Sequence, residues 1–327
     1  MELNEFIEIL KQRGKPESVL QKAREVLIPY LEAAAGAVEL LAFTRRYVEH
    51  LSADAENTLD LIVILYWYHE QSNNQDCARY LITMLGTRKV IENQIRRVSE
   101  LYGEEAATRI MGETLFPRLG TDLAAYPGAI IEYIRRMRAC LSEQQCQKAL
   151  AGDHHEVGFE PFAKDKQRFE ESPDLETFLR QRHEEFVRVL REHARSGKIW
   201  FEQYITAEVA DHVSEHQEIH TGVVQGDKLI VQKIAYDPDA WLKEQDPVLK
   251  RFYACHCPFV RYAIKDNAQL PALWCYCSGG FTKNLFDCLY GADLEVELLE
   301  SVLDGSDRCR FAIHLPDQAG KTSQLSR

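Results

Sequence analysis

The sequence predicts an α+β protein: an N-terminal helical bundle followed by a mixed C-terminal domain with two β-hairpins and helices. Three observations carry that expectation. Apolar residues recur at three- and four-residue spacing through the first 150 positions. The texture changes after Gly197-Lys198. Beyond that point two strand-like stretches each fold back about a Gly-containing turn. The expected division is a helical domain over 1–150, a helical connector over 151–198, an α+β Cys-rich ligand or metal domain over 199–316 and a frayed tail over 317–327.

In chain order, the helical segments are "FIEILKQ", "SVLQKAREVLIPYLEAAAGAVELLAFTRRYVEHL", "TLDLIVILYWYHEQ", "CARYLITMLGTRKVIENQIRRVSELYG" and "GAIIEYIRRMRACLSEQQCQKAL". Gly14-Lys15-Pro16, Ser52-Ala53-Asp54 and Ser72-Asn73-Asn74 punctuate them. "LETFLRQRHEEFVRVLREH" alternates charge along one face and continues the helical run. "TAEVADHVSEH" predicts a short helix, and "EIHTGVVQGDKLIVQKIAY" predicts a hairpin turning at Gln225-Gly226-Asp227-Lys228. Helices through "DPVLKRFYA" and "GGFTKNLFDCLYG" follow. The last hairpin joins "DLEVELLESVL" to "RCRFAIHL" through Asp304-Gly305-Ser306-Asp307.

Net charge is -12, from 39 Lys and Arg against 51 Asp and Glu. With no long basic run, that balance argues against a nucleic-acid surface and favours a small-molecule or protein partner. "MELNEFIEIL" lacks the positive start and apolar run of a secretory signal. "LIVILYWY" is too short to span a bilayer, and "YLEAAAGAVELLAF" carries Glu. These readings predict a cytoplasmic protein with no membrane segment.

Nine cysteines are an odd number, and without a secretory context they point to free thiols, metal ligands or a reactive site. Six of them crowd the last quarter: Cys255, Cys257, Cys275, Cys277, Cys288 and Cys309. Four of the six form two Cys-x-Cys pairs, in "YACHCPFVR" and "WCYCSGGF". Pro258 is favoured at a first helical position, which would put Cys257 at or near an N-cap. Ser278 is a good N-cap for a helix through "TKNLFDCLY". Helix N-termini favour anions and so lower a thiol pKa. Three readings follow. Cys255, Cys257, Cys275 and Cys277 can close a tetrahedral zinc site, with His256, Cys288 or Cys309 as substitutes. Cys257 or Cys277 can act as a nucleophile with His256 as base. Or the cysteines are small buried apolar residues.

"CYCSGGFTKNLFDCLYGADLEVELLESVLDGSDRCRFAIHL", taken with "FYACHCP", resembles the C-terminal signature of two related families. They are the L-2-amino-thiazoline-4-carboxylic acid hydrolases and the 4-vinyl-reductase-type sensor domains. The pattern also looks like an uncharacterised bacterial and archaeal group. The resemblance implies hydrolysis of a small sulfur- or nitrogen-containing metabolite, by a metal-activated water or a thiolate. Its alternative implication is a non-enzymatic small-molecule or metal sensor, with the helical half as transmitter or homodimer surface. A purely structural zinc is the third. In the sensor relatives zinc is held by an upstream Cys, a Glu and two later Cys. Cys309 matches the last of these, and Cys275 or Cys277 falls near the first. Ser301 stands at the other Cys position and Leu298 at the Glu position, between Glu297 and Glu300. Cys255 and Cys257 are the replacements this sequence offers.

Arg261 and Lys283 lie one turn beyond the Cys pairs, placed to hold a ligand carboxylate or steady a thiolate. Trp274, with Trp200, Tyr204, Phe252 and Tyr253, suits either an apolar pocket or plain core. His212, His216 and His220 fall four apart, but a strand expected near His220 spoils a three-His face. Cys140, Cys146, His154 and His155 share a stretch without sharing a helix face, which favours a structural or solvated role. No Walker loop, dinucleotide turn, Gly-x-Ser-x-Gly or His-Glu-x-x-His is present.

Overall fold

A computed structural model describes residues 1–51, 55–113 and 116–316. The expected break at Ser52-Ala53-Asp54 and the tail over 317–327 lie outside the described residues. The architecture is α+β, with an N-terminal helical region and a small antiparallel sheet in the C-terminal part. The chain forms two compact units, Met1–Arg88 with Leu115–Ala129, and Lys89–Thr114 with Ile130–Arg327. Residues 89–113 and 130–150, grouped by sequence with the helical domain, thus cluster with the C-terminal part.

The first unit holds α1 (Leu3–Gln12), α2 (Glu17–Ala34), α3 (Leu40–Leu51), α4 (Ala55–Gln71) and α5 (Gln75–Leu85). Its core is apolar with one buried polar chain, in which the Tyr30 hydroxyl meets Thr44 Oγ1 at 2.7 Å and His69 Nε2 at 2.8 Å. Helices α6 (Val90–Tyr102) and α7 (Glu104–Met111) open the second unit, and α8 (Tyr126–Cys140) leads back into it. After α9 (Glu143–Leu150) come α10 (Ala163–Glu171), α11 (Leu175–Ser196), α12 (Ala207–Glu215), β1 (Val223–Gln225) and β2 (Lys228–Gln232). The chain continues through α13 (Pro238–Lys243), α14 (Pro247–Ala254), α15 (Arg261–Lys265), α16 (Tyr276–Tyr290), β3 (Val296–Glu300) and β4 (Arg310–His314).

The four strands are ordered β1-β2-β4-β3, all antiparallel, so both expected hairpins form and β2 joins β4 at the centre. The first turns where the sequence places it, with Gln225 paired to Lys228 and Gly226 at φ 64°. The first strand of the last hairpin is shorter than expected. β3 ends at Glu300, and Val302–Asp304 make a 3-10 turn capped by Ser301, whose hydroxyl accepts the Leu303 N–H at 3.0 Å. Leu229, Val231 and Ile313 pack against Phe178 and Leu179 of α11 and Leu285, Phe286 and Leu289 of α16. Burying side chains of this size is worth about 1.5–3 kcal/mol apiece, which ties α16 to the sheet.

Two local expectations change. Helix α15 begins at Arg261 rather than at Pro258, and residues 258–260 form a turn in which the Cys257 carbonyl accepts the Arg261 N–H at 3.0 Å. Cys255 lies at the C-cap of α14, the negative end of that helix. Helix α16 begins at Tyr276, directly after a 3-10 turn over Ala272–Cys275, so Ser278 sits inside it rather than capping it. Burial of Trp274, only 1% exposed, fixes the helical path earlier than the capping preference would.

Candidate functional site

The ligand-binding side chains expected from sequence are consumed by the fold. The Arg261 guanidinium is sandwiched between the Tyr236 ring at 3.7 Å and the Phe252 ring at 4.1 Å, and its Nε donates to the Phe252 carbonyl at 3.1 Å. Lys283 is 1% exposed and its ammonium is held by Asp287 and by Asp293 at 2.6 Å. Trp274 donates its indole N–H to Cys257 Sγ at 3.1 Å and packs edge-on against Phe259. An open groove of about 370 Å³ lies over Asp153, Asn284, Asp287 and Asp293. Its carboxylates already accept from Lys283, from Arg97 at 2.8 Å, and from the Val157 and Gly158 N–H groups.

What the fold brings together instead is a centre around Lys233, the first residue after β2. Its ammonium donates to Ser278 Oγ at 2.8 Å, in the first turn of α16. It also lies 5.6 Å from the centroid of the half-exposed Phe281 ring. The positive charge is close enough to act on His155, His220, His256, Cys257, Cys277 and Cys309. Cys277 Sγ lies 4.0 Å from His155 Nε2. His155 is steered there from behind: Asn93 on α6 donates its side-chain N–H to the His154 carbonyl at 2.9 Å. A cavity of about 20 Å³, the size of one water, opens beside Lys233, Ile234 and Cys309.

His256 belongs to the same centre but faces away from the sulfurs. Its Nε2 is 2.6 Å from the Ile234 carbonyl, so that nitrogen carries the proton and Nδ1 is the acceptor. Nδ1 then faces the Gln203 amide at 3.4 Å and the Glu202 carboxylate at 3.7 Å. The Trp200–Gln203 bridge makes this possible, because it turns through Phe201 at φ 52° and directs Glu202 and Gln203 inward.

Electrostatics run against the sequence expectation of ready thiolates. Burial pushes the thiols of Cys255, Cys257, Cys275 and Cys309 up, and that of Cys277 up to about 12. Cys277 does occupy the first turn of a long helix, but a helix dipole is worth about 0.3–1 kcal/mol. Burial is the largest influence on this thiol and the net direction is up, so burial wins. The imidazoles move the other way. Burial, and then Lys233, hold His155 down at about 4, so it is neutral at pH 7 and able to accept a proton.

The same thiols were expected to hold zinc. Cys255, Cys257, Cys275 and Cys309 do act on one another electrostatically, and Cys275 Sγ meets Ser301 Oγ at 3.2 Å. Among the described residues, however, no group of three or more His, Cys, Asp or Glu is arranged to hold a metal ion. The carboxylates flanking Leu298 are engaged elsewhere, Glu297 with Lys228 at 2.8 Å and Glu300 with Arg310 at 2.6 Å. His212 and His216 stack at 4.2 Å, and His220 lies apart from them against Phe186 and Trp200. Cys288, the remaining substitute, lies 3.9 Å from the Phe159 carbonyl.

Residues 201–319 match a Family of unknown function (DUF6144). No curated protein and no solved structure matches the chain. The matched stretch carries Lys233, His256, Cys257, Cys277 and Ser278, whereas His155 precedes it. Sequence reasoning passed over Lys233 and gave His155 a structural role. An isolated Lys at a strand end and a His in a loop carry no spacing signal. No helix among the described residues is long and apolar enough to cross a membrane.

Proposed function

We propose that the second unit hydrolyses a small nitrogen- or sulfur-containing metabolite at the Cys277–His155 pair, beside Lys233. The observation that carries this reading is the 4.0 Å approach of Cys277 Sγ to His155 Nε2, with the Lys233 ammonium acting on both. The Cys277 sulfur attacks the electrophilic carbon while its proton passes to the unprotonated His155 Nε2. Lys233 offsets the negative charge that develops. The imidazolium returns the proton to the leaving nitrogen or sulfur, and water then cleaves the thioester with His155 as base. At rest burial disfavours the charged form of both groups, so sulfur and imidazole idle as neutral groups and proton transfer accompanies attack. That same neutrality favours a second reading, a ligand-binding protein that performs no turnover.

p-Nitrophenyl acetate separates the two. Under the hydrolase reading an acetyl group appears on Cys277 by peptide mass spectrometry and is then lost to water. Cys277→Ser removes it, and His155→Ala slows its formation by about a hundredfold. Acetylation that spares Cys277, or that proceeds at the same rate in His155→Ala, would leave only the binding reading.

A further inference from the structure

We propose that Gln94 selects the substrate, and that the substrate class is a small primary carboxamide, whose amide nitrogen keeps an N–H on the same side as the carbonyl oxygen. This rests on the Cys277 reading and deepens it. Gln94 is 0% exposed, and among the described residues neither Nε2 nor Oε1 has a hydrogen-bond partner. It lies against the Cys277 sulfur, close enough to offset a little of the burial effect on that thiol, without closing a bond of ordinary length. Buried side-chain amides are satisfied in the large majority of cases, and one orphaned at both atoms is an exception that calls for a reason. The reason offered by position is complementarity. Gln94 follows Asn93 on α6, and Asn93 holds the carbonyl of His154, the residue before His155. Cys277 is thus the residue that both groups reach: Gln94 acts on its thiol, and His155 Nε2 lies 4.0 Å from its Sγ.

A carboxamide satisfies both orphaned atoms at once. Its carbonyl oxygen accepts from Gln94 Nε2, and its N–H donates to Gln94 Oε1. That pairing holds the carbonyl carbon beside Cys277 Sγ. As the S–C bond forms, the carbonyl π electrons move to oxygen, where Nε2–H stabilises them. As the C–N bond breaks, ammonia leaves with the proton His155 took from the thiol. Water completes the reaction, giving a carboxylate and ammonia with no oxidant or reductant required. A buried water bridging the two amide atoms is the competing account.

Chloroacetamide and 2-chloro-N,N-dimethylacetamide present the same carbon to the thiol, but only the first has amide N–H groups. Labelling of Cys277 is followed by peptide mass spectrometry in the wild type, Gln94→Leu and the near-isosteric Gln94→Met, with glutathione as the free-thiol reference. The expected preference of Cys277 for chloroacetamide exceeds that of glutathione at least tenfold, and both variants bring it down to the glutathione value. Both variants also keep or raise the Tm, since they remove an unsatisfied buried amide; a merely structural Gln94 would lower it. A wild-type preference equal to that of glutathione, or one that survives both substitutions, overturns the assignment and leaves the Cys277 reading standing. Failure of both reagents to label Cys277 in the native protein overturns both.

Discussion

Lys283 places an ammonium where the interior tolerates no lone charge, and Asp287 and Asp293 answer it. Burial raises the Asp287 carboxyl; it also acts upward on Asp293, but there Lys283 and Arg97 outweigh it and the net direction is down. Removing the cation strands two carboxylates, so Lys283→Met is expected to destabilise the fold by about 3 kcal/mol in urea titration. An unchanged midpoint would mean the pair adds nothing. Two histidines, His154 buried and His155 half-buried, set a pH response. His154 and His155 are each held at about 4 by burial against an ordinary value of 6.5. Their folded pKa is depressed, so the unfolded chain binds more protons, and the stability they contribute is lost as pH falls from 6.5 towards 4. Urea midpoints at pH 7, 5.5 and 4.5 should therefore decline in that order, and His154→Gln should flatten the slope. A midpoint independent of pH across that window would contradict the assignment.

Helix α16 shows how an element is fixed by what it touches. A Cβ on Gly280 would sit 2.5 Å from the Gly152 carbonyl oxygen and 2.6 Å from the Gly152 nitrogen, both backbone atoms that cannot rotate away. The glycine lets α16 lie directly on the turn that leads to His155, and this brings Cys277 and the imidazole to 4.0 Å. Gly280→Ala is expected to destabilise by about 2 kcal/mol and to slow Cys277 acetylation more than loss of fold accounts for. A native Tm with full acetylation would show that the close approach is dispensable. The start of α16 carries the same lesson. Ser278 reads as a cap in isolation, yet its hydroxyl serves Lys233 from within the helix, because Trp274 is buried four residues earlier.

Across the whole molecule the nine cysteines are free thiols in very different surroundings. Cys140, Cys257 and Cys309 are partly exposed, but burial raises the pKa of the last two, while the other six are buried. 5,5′-Dithiobis(2-nitrobenzoate) at pH 8 should react first with Cys140, slowly with the rest, and with all nine after denaturation. Prompt reaction of several thiols in the native protein would contradict the burial described. The net negative charge follows directly from the composition, and the order of helical and strand segments follows from the apolar periodicity. The two-unit division does not, because a helical pattern at 90–111 looks the same whichever core it joins.

The amino-acid sequence alone determined the α+β class, both hairpins with the turn at Gln225–Lys228, the helical identity of most segments and the crowding of thiols near the C-terminus. Those features are local: periodicity, turn chemistry and spacing act over a few residues. Tertiary structure decided which of those thiols matters and in what state. Cys277 and His155 are 122 residues apart, and no spacing rule links them. Whether a thiol ionises depends on how much chain covers it, and that cover comes from segments the local pattern never mentions.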